Sequence, residues 1–240
     1  MKHNSVQMYK RNKNVFFDGV EDRFIYKFTK RFLQYIIRCD IKPVFSERII
    51  EYPLLFQHLK VDAHNILDFG CVEDLLPIHL CSLGYVVTGL DFRAYSFTHE
   101  NFRFIQADIL SWDAPKEAFD AVISISTIEH VGLGGYGDPM DQNGDHVAVE
   151  KLWRSLKRSG DLIVTLPAGK KSIERGMRIY DMESVSRLIP GAKRIRAFCK
   201  ENRYANWKET TEKKVSSLVY DDYYADSPAQ GVWFIVAIKA

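Results

Sequence analysis

Two aspartates at the ends of apolar segments are the residues of this sequence whose spacing first indicates chemistry. Asp68 lies in the apolar run 66–69, Gly70 ends that run, and a second run, 85–90, ends in Asp91. In a nucleotide-binding βαβ unit, the acid that ends the second strand, about twenty residues after the turn, accepts hydrogen bonds from ribose hydroxyls. The spacing therefore predicts a nucleotide site beside a tight turn at Gly70.

The charges beside this turn favour one kind of nucleotide. The usual dinucleotide fingerprint has glycines where this chain has Val72 and Asp74, and Glu73 adds another acid. Acids at a helix N-terminus occupy its free N–H groups and repel a phosphate. S-adenosylmethionine has no phosphate, and its sulfonium and ammonium attract carboxylates, so we expect this cofactor. An NAD-dependent oxidoreductase on the same sheet is the less favoured alternative.

A histidine follows the predicted fourth strand, 121–125. Ligands of an open parallel sheet bind outside the carboxyl ends of its strands, so the segment 126–131 is expected to border the reacting group. His130 is the candidate general base, because a neutral imidazole accepts a proton from a hydroxyl or an ammonium. The alternative is a histidine that only packs there. Glu129 is expected to bind a substrate group or to orient His130.

The elements that must hold these residues alternate between strands and helices. Apolar runs end at Asp91 and Asp108 and at the ends of 121–125 and 162–166, and apolar residues recur at helical spacing between several of them. This alternation predicts an α/β fold on a parallel sheet. We expect helices at 21–39, 46–59, 75–83, 146–157 and 182–188, and two final strands at 193–199 and 232–239.

Five segments, taken in order, resemble the motifs of the class I S-adenosylmethionine-dependent methyltransferases. They are 66–71 (ILDFGC), Asp91, 107–110 (ADIL), 119–124 (FDAVIS) and 156–164 (LKRSGDLIV). The resemblance implies an α/β three-layer sandwich with a Rossmann-like, seven-stranded, mostly parallel sheet whose last strand is antiparallel. It also implies that the cofactor contacts strand ends and the residues that follow them: Asp68, Gly70, Cys71, Val72, Glu73, Asp91, Phe92, Asp108, Ile109, Ser124, Ile125 and Ser126.

The glycine-rich segment 129–145 resembles a subgroup of methyltransferases associated with cell-surface polysaccharide genes. That likeness implies a small-molecule acceptor, a sugar or a nucleotide-linked sugar-like compound, methylated on a hydroxyl or an amine. Its glycines lower the conformational energy needed to rearrange the backbone, as expected of a lid or a substrate platform. We expect substrate contacts from Tyr136, Asp138, Asp141, Arg178 and Tyr180, the last two from an "R-x-Y" element of the same subgroup.

Three features of the sequence allow more than one interpretation. The acids at 138–145 and His146 are interpreted as a turn cluster in which Asp145 caps the next helix, rather than as a metal site, so no metal is expected. Arg48 either reaches the methionine carboxylate or forms a surface pair with Glu51. Val72, in place of a second motif glycine, agrees with a further alternative, a non-catalytic S-adenosylmethionine-binding partner subunit.

Composition limits the domain organisation and the partners. The 240 residues carry a net charge of +2, so no global field favours nucleic acid or a membrane surface. The cysteines form no CxxC pair and no apolar run reaches bilayer length, so a cytoplasmic protein is expected. We predict one domain, with a helical cap at 1–60, a cofactor-binding core at 61–169 and a substrate-side part at 170–240. Aromatic residues in 203–226 are candidates for stacking on a sugar, capping the pocket or forming a homodimer.

Overall fold

The computed structural model describes residues 46–72, 74–174, 176–202, 205–220 and 230–240. The predicted helix at 21–39, Glu73 and residues 203–204 and 221–226 of the 203–226 segment lie outside the described residues. The described residues belong to one compact unit. In that part of the chain, no helix is long and apolar enough to cross a bilayer.

The described chain contains ten strands and five α-helices. The strands are β1 Asn65–Phe69, β2 Val86–Asp91, β3 Phe102–Gln106, β4 Phe119–Ile125, β5 Leu156–Pro167, β6 Ser172–Glu174, β7 Met177–Ile179, β8 Ala192–Lys200, β9 Lys208–Thr210 and β10 Gln230–Ile238. The helices are α1 Arg48–His58, α2 Leu76–Ser82, α3 Gly144–Ser155, α4 Met182–Leu188 and α5 Glu212–Ser216. β2, β3 and β4 follow one another without a helix between them, and a short 3₁₀ helix, Ile128–His130, follows β4.

The main sheet has the strand order β3-β2-β1-β4-β5-β10-β8-β9. β1 to β5 are parallel, and β10 is antiparallel to both of its neighbours, which confirms the predicted α/β sheet with an antiparallel last strand. The three-residue β9 adds an eighth strand that the sequence did not predict. Strand order reverses between β1 and β4, so the carboxyl ends of these strands open a crevice in which ligands of such sheets bind.

Hydrophobic clusters cover both faces of the sheet and give the three layers. In β1, Leu67 packs on the face covered by α3 and α4, whereas its neighbour Ile66 packs on the face covered by α1 and α2. β10 alternates in the same way, with Trp233 on the first face and Phe234 on the second. Alternation arises because successive side chains of a strand point to opposite faces, and burial of each such side chain stabilises the fold by about 1.5–3 kcal/mol.

The start of α3 differs from its prediction. The helix begins at Gly144, and its N-cap residue, Asn143, makes no side-chain capping hydrogen bond. Asp145 is buried inside the first turn, where its Oδ1 accepts from the His146 N–H at 2.9 Å and its Oδ2 accepts from the Tyr180 hydroxyl at 3.0 Å. Asp145 is therefore not the N-cap residue that the sequence predicted, because it lies within the helix and also makes a tertiary contact.

The turn after β1 requires glycine for two reasons. Gly70 has φ +82°, a conformation that side chains disfavour, and its N–H donates to the Leu90 carbonyl at 2.8 Å. A Cβ atom at this position would also lie 2.2 Å from Thr127 Cγ2, on the segment after β4. Gly70 therefore allows the segments that follow β1 and β4 to approach each other closely.

We expect Gly70→Ala to destabilise the protein more than Gly84→Ala. Gly84 has a similar φ, +89°, but nothing lies within 4 Å of its virtual Cβ, so its replacement adds only backbone strain of about 1–2 kcal/mol. At Gly70 the clash with Thr127 adds roughly 1–3 kcal/mol. Equilibrium urea unfolding of both variants measures the difference, and equal losses of stability would contradict this account.

Candidate functional site

Two adjoining cavities open at the carboxyl ends of the parallel strands. The first encloses about 210 Å³ and the second about 410 Å³. Four residues line both cavities: Arg48, Ser126, His130 and Tyr136. Any group held where the cavities meet therefore faces ligands in both of them.

Asp91 forms an ordered wall of the first cavity. Its side chain is buried, its Oδ2 accepts from the Val72 N–H at 3.1 Å, and its Oδ1 accepts from the Arg93 N–H at 3.0 Å. The Arg93 guanidinium also contacts this carboxylate, at 3.3 Å. Val72 lies on the wall without a positive φ, so the turn does not need a second glycine here. The structure thus places Asp91 and Val72 together, as expected.

Residues that follow β2 and β3 also line this cavity. Phe92, Asp108 and Ile109 all line it, together with Ala107. Asp108 Oδ1 accepts from the Leu110 N–H at 2.9 Å, and the segment forms a turn rather than a helix. Asp108 therefore lies in a turn on the cavity wall and is not a helix N-cap.

Three predicted cofactor residues lie behind the wall instead of on it. Asp68, Cys71 and Ser124 are buried and do not line either cavity, which corrects the expectation of direct contact. Burial, together with the Asp91 charge, raises the pKa of Asp68 to about 7, and its Oδ2 has no hydrogen-bond partner among the described residues. Burial also raises the pKa of the Cys71 thiol. Gly70, Ile125 and Ser126 do lie on the wall.

Arg48 and Glu51 form an ion pair in which Glu51 is buried and Arg48 is partly exposed, so they are not a pair on the open surface. Glu51 is 0% exposed, is ion-paired with Arg48, and accepts from the Ser126 hydroxyl at 2.9 Å. Burial raises the pKa of Glu51, and the Arg48 charge opposes that shift. Arg48 Nε also lies 3.7 Å from Asp74 Oδ2. These contacts fix Arg48 where the two cavities meet.

His130 is held in one tautomer. Its Nδ1 lies 2.7 Å from the Gly176 carbonyl oxygen, and a carbonyl only accepts, so Nδ1 carries the proton. Nε2 is therefore the basic nitrogen of the ring. Burial lowers the pKa of His130, although the bond to Gly176 opposes that shift. The ring also meets Tyr136 edge-on, with centroids 5.4 Å apart.

Glu129 lies beside His130 and lines the second cavity. Its side chain is 2% exposed, and its Oε1 is 3.8 Å from His130 Nε2. Burial raises the pKa of Glu129 to about 8, so the neutral acid is present at neutral pH. The side chains of the two residues that were predicted to be catalytic thus lie close to each other.

A hairpin made of β6 and β7 supports the segment that carries His130. Gly176, in its turn, supplies the carbonyl for His130, and Arg178 on β7 is buried. The Arg178 guanidinium donates to the carbonyls of Val131 at 2.6 Å, Gln142 at 3.1 Å, Asp141 at 3.2 Å and Glu129 at 3.4 Å. Its Nε lies 3.6 Å from Asp145 Oδ2.

Three predicted substrate residues prove to be structural. The Arg178 guanidinium and the Tyr180 hydroxyl are engaged with the protein itself, and neither residue lines a cavity. Asp141 accepts from the Asn143 N–H at 2.8 Å and also lies off the walls. The structure therefore corrects the expectation that these three contact the acceptor directly.

Of the other two predicted substrate residues, Tyr136 lines both cavities and Asp138 lines only the first. Tyr136 is half exposed, and the Arg93 guanidinium lies over its ring at 5.1 Å from the centroid. Asp138 Oδ2 accepts from the Gly132 N–H at 2.8 Å, which closes the glycine-rich loop on itself. The sequence reasoning had missed Arg93, although its place two residues after Asp91 was a usable signal.

One curated relative shares sequence with part of the chain. It is named "Ubiquinone biosynthesis O-methyltransferase", from Rickettsia akari (strain Hartford), and is 32% identical over 101 residues. That alignment covers 38% of this chain and 40% of the relative, so the chain spans less than half of the relative's length.

Solved methyltransferases share the fold. Burkholderia thailandensis 1,6-didemethyltoxoflavin-N1-methyltransferase, solved with 1,6-didemethyltoxoflavin and S-adenosylhomocysteine, is 12% identical, with 80% of this chain and 77% of that chain covered and a TM-score of 0.54. Haemonchus contortus phosphoethanolamine N-methyltransferase 2, solved with S-adenosyl-L-methionine, is 15% identical, with 84% and 54% covered and a TM-score of 0.56. These similarities establish the class I methyltransferase fold.

A family match covers the segment in which the second half of the site lies. The family described as "Caenorhabditis protein of unknown function, DUF268" matches residues 98–222, which include Asp108, Glu129, His130 and Arg178. The match takes in more than half of the 240 residues. The chain therefore belongs to this family, and it has a class I methyltransferase fold.

Proposed function

We propose that this protein is an S-adenosylmethionine-dependent methyltransferase that acts on a hydroxyl of a small molecule. The observation that carries the proposal is the state of His130, whose Nδ1 is committed to the Gly176 carbonyl at the junction of the two cavities. A base at this junction faces a cofactor on one side and an acceptor on the other. The fold, shared with methyltransferases, supports the same assignment.

The first cavity suits this cofactor by its charges. Its wall carries the carboxylates of Asp74, Asp91, Asp108 and Asp138, and its two arginines are engaged by acids. Such a wall attracts a sulfonium and an ammonium and repels a pyrophosphate. Asp91 would hold the ribose hydroxyls, while Asp108, Ile109 and Phe92 would hold the adenine. Behind this wall, the unpartnered Asp68 Oδ2 adds a further acidic group.

The chemistry needs little from the protein beyond orientation and a base. S-adenosylmethionine, when bound, supplies a methyl group already activated on a positive sulfur. Holding two reactants aligned lowers the barrier by up to roughly 7–11 kcal/mol. His130 Nε2 takes the proton of the acceptor hydroxyl as the oxygen becomes a nucleophile. The bond from Nδ1 to Gly176 keeps the ring in the tautomer that this step requires.

The lining of the second cavity supports a sugar or a nucleotide-linked sugar as the acceptor. Tyr136, Trp207 and Tyr220 supply aromatic surface, while Glu129 and Gln230 supply polar groups. Aromatic faces and nearby hydrogen-bonding groups together suit a hydroxylated ring. A hydroxyl is favoured over an amine because an oxygen nucleophile needs a base such as His130 Nε2 to take its proton, whereas a neutral amine attacks without one. The Rickettsia akari relative is also an O-methyltransferase by name.

Calorimetric titration with S-adenosylhomocysteine, S-adenosylmethionine and NAD tests the cofactor. We expect the first two to bind with micromolar Kd and NAD not to bind. Asp91→Ala should weaken binding by roughly 10- to 100-fold, because it removes charge-assisted hydrogen bonds. Asp113→Ala, at a 97% exposed aspartate, is the matched control and should change nothing. Binding of NAD alone, or of no ligand, would overturn the proposal.

The pH profile of kcat/KM tests the protonation state of His130. Burial lowers the pKa of His130 below its ordinary 6.5, while Asp138 opposes that shift and Arg93 and Arg178 add to it. The neutral base therefore persists into mildly acidic solution, and the rate should fall only as the pH drops through this lowered pKa. Measurement from about pH 5 to about 9 would reveal the limb. A rate that already falls on acidification above pH 6.5 would contradict the assignment.

A further inference from the structure

Glu129 presents a polar group that the protein itself leaves unsatisfied. Its side chain is 2% exposed, it lines the second cavity, and its Oε2 has no hydrogen-bond partner among the described residues. Buried polar atoms of folded proteins nearly always have partners, so each exception needs an explanation, such as a catalytic role or a bound group. A second polar group on the molecule that fills this cavity would satisfy the unpartnered oxygen of Glu129.

The distance from Glu129 to His130 limits where that second group lies. Glu129 Oε1 is 3.8 Å from His130 Nε2, the atom that faces the reacting hydroxyl. Hydroxyls on adjacent carbons are separated by about one hydrogen-bond length. One such hydroxyl can contact Nε2 while its neighbour contacts the Glu129 carboxyl. Two hydroxyls on non-adjacent ring carbons lie further apart, so they fit the 3.8 Å between Glu129 Oε1 and His130 Nε2 less well.

We propose that the acceptor is a vicinal diol, whose reacting hydroxyl contacts His130 and whose neighbouring hydroxyl contacts Glu129. This inference rests on the proposed methyl transfer and names the chemical class of the acceptor. Sugar rings and catechols both supply such diols. The reacting oxygen bonds to the methyl carbon as the methyl–sulfur bond breaks, sulfur keeps that electron pair, and the hydroxyl proton moves to His130 Nε2.

The chemistry of a buried carboxyl agrees with this assignment. Burial raises the pKa of Glu129 to about 8, and the neutral acid offers one O–H donor and one carbonyl acceptor. A hydroxyl can satisfy both. An acceptor with a single hydroxyl leaves Glu129 unpaired inside a closed site, and sites built to bind a hydroxyl discriminate against analogues that lack it.

The test compares matched acceptors in the full-length protein loaded with S-adenosylmethionine. Catechol is paired with phenol for the aromatic source, and vicinal cyclohexanediol is paired with cyclohexanol for the sugar-like source. Production of S-adenosylhomocysteine gives kcat/KM for each. We expect kcat/KM to be roughly 10- to 100-fold higher for the diol than for its partner in at least one pair. The pair that shows the ratio identifies the source.

Variants of Glu129 separate recognition from folding. Glu129→Ala should bring the diol ratio close to one, whereas Glu129→Gln should retain much of it, since an amide also offers a donor and an acceptor. Glu183→Gln, at a 73% exposed glutamate, should retain the wild-type ratio. A purely structural role for Glu129 would lower kcat/KM for diol and mono-alcohol equally. If Glu129→Ala does not fold, the wild-type ratios and Glu129→Gln still decide.

Failure of this inference differs from failure of the proposed function. Binding of S-adenosylhomocysteine without any preference for either diol would overturn the diol assignment and leave the cofactor site intact. The diol assignment would also be overturned if Glu129→Ala kept the wild-type ratio. Absence of S-adenosylhomocysteine binding would overturn the proposed methyl transfer itself.

Discussion

Replacement of His130 by alanine is expected to lower kcat by roughly 10²- to 10⁴-fold, the usual contribution of a general base. The Kd for S-adenosylhomocysteine should change little, because Asp91 and Asp108, which are expected to hold the nucleoside, lie on other strand ends. His64→Ala is the matched control. His64 is exposed and directly precedes β1, so it lies at the amino ends of the parallel strands, whereas the site lies at their carboxyl ends. Its loss should leave kcat unchanged.

The His130→Ala variant also separates a catalyst from a binding subunit. If the protein is a catalyst, the variant should lose turnover, while calorimetry should still show binding of S-adenosylhomocysteine. A non-catalytic partner subunit has no turnover to lose in the wild-type protein. Unchanged kcat in His130→Ala would show that His130 only packs near the cofactor, and another proton acceptor would then have to be found.

Replacement of Arg178 by methionine is expected to lower the free energy of unfolding by about 3–5 kcal/mol. The substitution removes four hydrogen bonds to carbonyls and leaves the buried Asp145 carboxylate without its cation. Arg187→Met is the matched control, since Arg187 is 63% exposed and its pair with Glu183 contributes at most about 1 kcal/mol. Urea unfolding measures both variants.

The same substitution distinguishes a structural arginine from one that binds an acidic acceptor. Arg178 fastens the loop that carries Glu129 and Val131, so we expect its loss to reduce stability and kcat together. An arginine that bound the acceptor would, on replacement, raise KM with little change in stability. If Arg178→Met left urea unfolding unchanged, Arg178 would again be a candidate for binding the acceptor.

The parallel half of the fold was predictable because its signals are local. Apolar runs that end in Gly70, Asp91 and Asp108 mark both the strands and the cavity wall, since parallel strands present their carboxyl ends at one edge. The position of His130 on the cavity wall was predictable for the same reason, because His130 closely follows the end of β4. The antiparallel last strand was implied by resemblance to the class I methyltransferases and is confirmed.

The parts that escaped prediction depend on contacts between distant residues. Glu51 reads as a surface partner of Arg48 at helical spacing, but the fold buries it against Ser126, 75 positions away. The Gly176 carbonyl reaches His130 across 46 positions, from a hairpin whose strands have three residues each. No periodicity in the sequence encodes such pairs. Arg178 shows the same limit, because charge alone does not tell a buried clamp from a ligand-binding group.

The place of β10 in the sheet also orders the steps by which the protein folds as it is synthesised. Within the described sheet, β8 pairs with β10 along one edge and only with the three-residue β9 along the other. One edge of β5 and most of β8 therefore stay unpaired until residues 230–238 have been made. Unpaired strand edges promote association of nascent chains. A translational pause just before β10 would prolong the interval in which the chain is most prone to aggregate.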